Sequence, residues 1–592
     1  MQSQTFVEKI LGAQAGSIVF KKPDLVLTHD NSASIKGTFN KMDGKKVHNP
    51  DQLLMVLDHN APPTSAKLAT QYQTIREFAK DQSVSKFHDV GDGICHQIMA
   101  DHAKPGMIIV GSDSHTCTAG AFNTLAAGID RTEAAGIWRR GETWFRVPDT
   151  IKITLTGEMP EGVYAKDLSL HIIGVIGSAG ANYMSIEYHG DGVKTLSISD
   201  RMTIANLASE MGAKNAVFPP DETLKEYIGD LKNSVWSDEN ASYAQEMTIN
   251  LSELFPLTAA PHNVDNVKAV AKVAGKPIQQ ALIGTCTNGR IEDLRIAAKV
   301  LKGKKVHKDV QLLVAPASKK IYLQAIKEGV ITDLIESGAN ILGASCGPCL
   351  GTGQGIPADG YRVISTANRN FKGRMGNKEA EIFLASPATV AFSALSGKIT
   401  DPRVTPGDES FGYVKEEGNT IEIEPNDNRK TNEVWNYADA DNLNTDQMFA
   451  GNLTYNIMSS DPEAIMEHLF TGFDENFAKN VAQNDIIVAG ENFGCGSSRE
   501  HPAVGLAHAG VKAVIVKSVN RIFYRSCINQ GLLLIVNKNI VDAYQPGDKI
   551  DTNLEKGKVV VGNKEFDIPP LPEKLMEIIK NKGLVNWIKT QN

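Results

Sequence analysis

Asp485-Ile-Ile-Val-Ala-Gly490-Glu-Asn-Phe-Gly494-Cys495-Gly496-Ser497-Ser498-Arg499 is an apolar run followed by a glycine-rich turn; a helix is expected from about Glu500, and a second apolar run, Ala513-Val-Ile-Val, follows it. Short aliphatic runs on either side of a helix-length segment predict strand, crossover helix and parallel strand. The same alternation fills the chain from Ile18 to about Asp401, as in Gly106-Met-Ile-Ile-Val-Gly and the later Gly120-Ala-Phe-Asn-Thr-Leu-Ala-Ala-Gly. The fold class is therefore α/β. Between Thr400 and Asn444 the apolar density falls, and Asp-Pro, Pro-Gly, Pro-Asn-Asp and Glu-Glu-Gly punctuate a polar stretch that reads as a linker. The expected organisation is a unit over 1–400, a linker over 401–440 and a second unit over 441–592.

A chain of 592 residues exceeds what one hydrophobic core supports, so several domains are expected. With 42% hydrophobic and 22% charged residues, neither disorder nor a fibrous repeat is indicated. A net charge of −8, without basic runs interleaved by aromatics, gives no steering field for nucleic acid or an anionic membrane. An anionic substrate must then be met by local arginines and helix N-termini. No apolar run approaches the ~20 residues of a spanning helix, and Glu8 and Lys9 interrupt any secretory signal. Seven cysteines, an odd and small number for this length, suit a reducing compartment, and the cytoplasm is expected.

Ile283-Gly-Thr-Cys286-Thr-Asn-Gly and Ala344-Ser-Cys346-Gly-Pro-Cys349-Leu-Gly place three thiols in glycine-rich segments expected to be turns rather than helices. Three converging thiolates suit one soft metal centre with an open position. The same residues also fit an inert buried pair or a Cys₃His zinc site. Cys95, Cys117, Cys495 and Cys527 are isolated and read as packing cysteines, with Cys495 beside the glycine turn.

His59 follows Asp58, and His115 follows Asp113 by two residues, so imidazole–carboxylate pairs are available for proton transfer; each histidine alone also fits a core position. Ser114 beside His115 lacks the Gly-x-Ser-x-Gly elbow of a serine hydrolase. Ser199 to Gly212 reads as a helix capped at Ser199, with Asn206 and Glu210 on one face, by default a solvated pair. Arg369 and Arg374, in an Asn- and Gly-rich loop, suit carboxylate clamping or a solvated basic loop. The turn before Ser497, Ser498 and Arg499 aims backbone N–H groups at an anion. It lacks the lysine of a Walker loop, and an N-cap serine is the plainer reading. There Ser497 is suited to be deprotonated, its alkoxide offset by Arg499.

The two cysteine segments look like the cluster loops of the aconitase superfamily, and the resemblance spans nearly the whole chain. Asp58-His59, Gly111-Ser-Asp113-Ser114-His115-Thr, the three cysteines, Asn368-Arg369-Asn-Phe-Lys-Gly-Arg374 and Gly494-Cys-Gly-Ser497-Ser498-Arg499-Glu-His occur in the family's order. The resemblance implies three α/β domains around a [4Fe-4S] cluster held by Cys286, Cys346 and Cys349, plus a C-terminal α/β swivel domain. It implies a hydro-lyase or isomerase acting on a small hydroxy di- or tricarboxylic acid, 3-isopropylmalate-like or citrate-like. Aconitate, homoaconitate and 2,3-dimethylmalate chemistry are the variants, and a cluster-sensing RNA-binding regulator is the rival. By the same resemblance Asp58, His59, His96, Asp113 and His115 handle the hydroxyl proton, and Asn206 and Glu210 orient groups beside the cluster. Arg369, Arg374, Ser114, Ser498, Arg499 and Asp446 meet the substrate, although Asp446 also reads as a helix cap. Ser497 is the base.

Gly347-Pro-Cys-Leu-Gly and Asn492-Phe-Gly-Cys-Gly-Ser-Ser are similar to the 3-isopropylmalate dehydratase branch, which usually keeps its two parts on separate chains. Two features depart from it. Gln447-Met-Phe-Ala-Gly-Asn-Leu-Thr-Tyr-Asn replaces a Tyr-Leu-Arg type of segment, and Ser34 stands near the place of an aconitase substrate-binding glutamine. The expected partner is the substrate, with no nucleic acid or membrane, in a monomer or homo-oligomer.

Overall fold

The computed structural model describes residues 3–403, 429–454, 457–496, 499–553 and 557–591. Four main sheets organise them, in a mixed α/β fold. The first is wholly parallel, in the order Lys86–His88, Leu53–Val56, Leu25–Thr28, Ile108–Gly111 and Leu125–Gly128. Its four longer strands are buried at every position, which is why they read as unbroken apolar runs. The second is also parallel, Asn215–Val217, Ser185–His189, Thr150–Thr156 and Gln245–Asn250. The third has the parallel strands Glu381–Ala385, Arg362–Ser365, Gln280–Gly284, Gln311–Ala315 and Asn340–Ile341, extended by antiparallel Leu257–Ala259 and Val267–Ala269.

The fourth sheet is the C-terminal unit: Lys430–Thr431, Val434–Tyr437, Ile486–Ala489, Ala513–Val516 and Leu533–Val536, parallel from Val434 onward. The helix after the glycine turn runs His501–His508. Most of the expected linker lies outside the described residues, but its last part is no linker. Lys430–Thr431 and Val434–Tyr437 are sheet strands, so the second unit starts before 441. Trp435 stacks into the core there and its indole N–H donates to Asp485 at 2.8 Å, a contact invisible in the local composition.

The two units share a buried seam around the helix Arg131–Arg140. Arg525 donates through Nε and Nη2 to the two Glu133 carboxylate oxygens, donates to the Trp144 carbonyl at 2.8 Å and lies 3.6 Å from the Trp144 ring centroid. Asn529 donates to Asp130 at 2.7 Å, and the Thr132 N–H donates to Glu500 at 2.9 Å. Leu575, Ile578, Leu584, Trp587 and Ile588, from the last two helices, belong to the same apolar core as Trp138 and Phe145. Among the described residues no helix is long and apolar enough to cross a membrane.

Candidate active site

Parallel sheets bind ligands outside the carboxyl ends of their strands, where the strand order reverses. In the first sheet the chain leaves Leu25–Thr28 toward Leu53–Val56 on one side and returns to Ile108–Gly111 on the other. His29, Asp30 and Asn31 follow the first of these strands, Asp58 and His59 the second, and Asp113, Ser114 and His115 the third. In the third sheet Cys286 follows Gln280–Gly284, and Asn368 and Arg369 follow Arg362–Ser365. One cleft is lined by residues from both sheets, with Gly451, Thr454 and Arg499 from the C-terminal unit.

Asp30 builds the Asp58-His59 turn: its carboxylate accepts the N–H groups of Asp58, His59 and Asn60 at 2.9, 3.2 and 2.7 Å. His59 Nδ1 lies 2.7 Å from Asp58, and its Nε2 lies 3.5 Å from Asp113. Burial would raise the Asp58 carboxyl, but the charge and hydrogen bond of His59 bring it below the usual range. Asp113 takes His96 Nε2 at 2.9 Å and the N–H of His115 at 2.8 Å, the latter as N-cap of the 3₁₀ helix Ser114–Phe122. Burial opposes its ionisation too, yet the charge of His96 and hydrogen bonds from His115, His59 and His96 hold it well below its ordinary value.

A second chain of contacts runs through Glu210, which meets His115 Nε2 at 2.8 Å and Arg369 Nε at 2.9 Å. Arg369 Nη2 also donates to Ser114 Oγ at 3.1 Å. Against the penalty of burial, Arg369 and His115 bring the Glu210 carboxyl from 4.5 down to about 2. Its folded value is thus depressed, so the stabilisation is fully present above about pH 4.5 and is lost as pH falls to about 2. The shift corresponds to about 3 kcal/mol. Glu210→Gln is expected to flatten the acid arm of a stability-versus-pH curve in that window; an unchanged arm would remove Glu210 as its source.

The expected helix begins two residues earlier than Ser199, because Ser197 forms a capping box with Asp200; it spans Ile198–Leu207 and ends through a 3₁₀ turn at Gly212. Asn206 is buried and Glu210 is intermediate, its side chain 7% exposed, so the two are not a solvated pair, and Asn206 Nδ2 points to Cys286 Sγ at 3.4 Å. The cysteine segments also correct the expectation of plain turns. Cys286 sits in the one-turn helix Thr285–Asn288, and Cys346 caps the one-turn helix Gly347–Leu350 that carries Cys349. Gly284 makes the first possible: at φ 131° a Cβ there would lie 2.1 Å from the Ala315 carbonyl oxygen.

Cys286, Cys346 and Cys349 are 3%, 9% and 1% exposed, and all seven cysteines are free. Asn368 reaches two of the sulfurs, with Nδ2 3.7 Å from Cys286 and Oδ1 3.5 Å from Cys349, while Arg374 Nη2 lies 3.4 Å from Cys349. The Cys346 N–H and Ser345 hydroxyl both donate to the Asp58 carbonyl, at 3.1 and 2.8 Å, tying the thiol loop to the imidazole–carboxylate pairs. Burial, then the neighbouring Cys349, pushes the Cys286 thiol up to about 12. Burial likewise raises Cys346. Three buried thiols facing N–H donors and a guanidinium fit a metal cluster that supplies the missing positive charge. Among the described residues the two groups whose ligand atoms converge within 4.8 Å, His29-Asp30-Asp58-His59 and His96-Asp113-His115, contain no cysteine.

Arg499 pairs with Asp446 at 2.6 Å and donates to the Phe449 carbonyl at 3.1 Å. Asn444, not Asp446, caps the one-turn helix Thr445–Met448, so the helix-cap reading of Asp446 fails. Ser497 and Ser498 lie outside the described residues. Cys95, Cys117 and Cys527 are buried in packing roles, while Cys495 lines a neighbouring polar cavity with Arg369 and Glu210. Ser34 turns away from the cleft and pairs with Ser459 at 2.6 Å. The lining residues sequence reasoning passed over are His29, Asn31 and Arg131. His29 stacks on His59 at 3.8 Å between ring centroids, and burial lowers its pKa well below the ordinary value. The signal for it was positional: it immediately follows the apolar run Leu25-Val-Leu-Thr.

The chain is similar to known proteins over most of its length. The family model described as "Aconitase family (aconitate hydratase)" matches residues 3–397, and the aconitase C-terminal domain matches 413–539. The chain is 46% identical over 413 residues to 3-isopropylmalate dehydratase large subunit 1 of Methanopyrus kandleri, covering 68% of this chain and 99% of that one. It is 45% identical over 390 residues to the probable methanogen homoaconitase large subunit of Methanosarcina mazei, covering 64% and 98%. A crystal structure of 3-isopropylmalate dehydratase from Methanocaldococcus jannaschii matches 26% of this chain and 89% of that chain at 40% identity, with a TM-score of 0.24. Since the first match takes in every strand end that builds the cleft from His29 to Arg374, the chain belongs to the aconitase family of hydro-lyases.

Proposed function

We propose that the protein removes and re-adds water on a small hydroxy-polycarboxylic acid, using a [4Fe-4S] cluster on Cys286, Cys346 and Cys349. The observation that carries this reading is that the buried thiols of Cys286 and Cys346 line one cleft with His59, His96, Asp113 and His115, while Cys349 is buried behind it in contact with the lining residues Asn368 and Arg374. When bound, the cluster supplies a Lewis-acid iron for the substrate's hydroxyl and carboxylate. Asp58 and Asp113 fix the orientation of His59 and His96, which hold the proton that accompanies the hydroxyl. Glu210 holds His115 and Arg369 in register, and Arg369, Arg374, Arg499 and Arg131 meet carboxylates. Ser497 is the base for the C–H bond, with Arg499, two residues on in the sequence, to offset the alkoxide; Ser498 binds substrate.

The lining also supports a substrate class. It holds four guanidinium groups and four imidazoles, and Leu350 is its one large aliphatic side chain among the described residues. That composition favours a citrate- or homocitrate-like tricarboxylate over an acid with a branched apolar group. The relatives are named large subunits, whereas this chain continues into the C-terminal domain, so both parts of the site are supplied in cis. Free thiols throughout support a reducing compartment, the cytoplasm.

The test is anaerobic purification, iron and sulfide determination, and turnover of citrate, isocitrate, homoisocitrate, 3-isopropylmalate and 2,3-dimethylmalate. Iron with turnover of a tricarboxylate is the expected result. Turnover of 3-isopropylmalate alone would overturn the substrate class, and failure to take up iron and sulfide would overturn the cofactor.

A further inference from the structure

Lys166, in the first turn of the helix Ala165–Ile176, is fully buried. Its ammonium donates to the carbonyl oxygens of Thr366 at 3.1 Å and Ala367 at 2.6 Å, and no carboxylate stands within ion-pair range of it among the described residues. The adjacent Asp167 is spoken for, since its oxygens accept the N–H groups of Tyr164 and Leu257, each at 2.9 Å. A buried ammonium without an anion is strongly disfavoured, because two carbonyl dipoles replace only part of its hydration. Burial accordingly lowers its pKa to about 8.

Those carbonyls belong to the strand end that leads to the cysteine site. Thr366 Oγ1 accepts the Gly284 N–H at 2.9 Å and donates to the Gly284 carbonyl at 3.1 Å, which stitches together the two strand ends leading to Cys286 and Asn368. Asn368, one residue past Ala367, contacts the sulfurs of both Cys286 and Cys349. Cys349, Ala367 and Leu170, one helical turn beyond Lys166, pack in one apolar cluster. Thiolates at Cys349 and Cys286, as metal ligation would make them, favour the Lys166 ammonium more than Glu210 and Asp167 do.

We propose that Lys166 is the counter-charge of the cysteine site: a positioning residue that touches neither substrate nor sulfur, but offsets the negative charge of the liganded thiolates from behind. It thereby sets the cluster's retention and reduction potential. The proposal rests on the reading of Cys286, Cys346 and Cys349 as cluster ligands.

The experiment compares the wild-type chain with Lys166→Gln, Lys166→Met and Lys166→Arg, each reconstituted anaerobically. It reads the one-electron midpoint potential, the rate of iron loss to a chelator, and the Tm of cluster-free and loaded forms. Gln and Met are expected to disfavour reduction about tenfold, a 59 mV negative shift, and to lose iron faster, while Arg stays near wild type. Their cluster-free forms should melt no lower than wild type, because the lone buried charge is gone, and their loaded forms should melt lower. A Gln variant that loads with unchanged potential and iron loss would overturn the proposal. So would cluster-free Gln and Met variants that fail to fold, since the amine would then serve the carbonyls alone. A wild-type chain that takes up no cluster would instead refute the underlying cysteine reading.

Discussion

Asp113→Asn is expected to cut turnover by about 10² to 10⁴, the usual worth of a general acid–base group, while leaving iron content near wild type. Asp113 is the junction of the first relay: it takes His96 Nε2 at 2.9 Å, caps the helix that carries His115, and stands 3.5 Å from His59 Nε2. Oδ1 takes both His96 and the His115 N–H, and Oδ2 faces His59; an ionised carboxylate only accepts, so it presents an acceptor to each imidazole. An asparagine keeps one acceptor and puts an NH₂ where the other was, which turns one imidazole out of register. No sulfur contacts Asp113, so the cysteine site is expected to survive the change. The measurement is kcat, with iron and sulfide per chain as the control; activity within fivefold of wild type would exclude Asp113 from the proton path.

Glu133→Ala is expected to destabilise the protein by about 3–5 kcal/mol, because it strands a fully buried guanidinium. Arg525 and Glu133 are both 0% exposed in their side chains, and Arg525 gives two of its three other N–H donors to the Trp144 carbonyl and the Tyr183 hydroxyl. The pair joins the C-terminal unit to the helix Arg131–Arg140, whose first turn also receives Asn529 and Glu500. Glu500 directly follows Arg499, so the seam that fails on losing Glu133 is also the one that brings the C-terminal arginine to the cleft. Urea titration reads the stability change. The double variant Glu133→Ala with Arg525→Met should recover part of the loss, since no charge is then left buried; a single variant within 1 kcal/mol of wild type would show that water reaches Arg525.

The seam also restricts the picture of a freely swivelling domain. A linker permits hinge motion only where the facing surfaces separate cheaply. Here Leu584, Trp587 and Ile588 share a core with Trp138 and Phe145, and the Arg525–Glu133, Asn529–Asp130 and Glu500–Thr132 contacts between the units are buried. The described arrangement is a docked one.

Much of this was legible in the chain. Apolar runs over Leu25–Thr28, Ile108–Gly111 and Ile486–Ala489 predict strands because a parallel sheet buries both faces of each, leaving no polar alternation. The cysteine, histidine and arginine candidates stood out for their residue types and for a resemblance carried by several separate motifs. Local pattern failed where neighbours far along the chain set the outcome. Val434–Tyr437 looks like linker because its polar surroundings dominate the composition, and it is a strand because Ile486–Ala489 lies beside it.

The sequence by itself determined the α/β class, the residue types capable of the chemistry, and the family. Only the tertiary structure decided which of them meet. His29 enters the cleft because the strand order reverses between Leu25–Thr28 and Ile108–Gly111, whereas Ser34, in the helix that follows, is taken up by Ser459. Asp30 and Lys166, unremarkable in one dimension, become supports of the site because they are buried, and a buried charge must find its partners in whatever segments the fold brings to it.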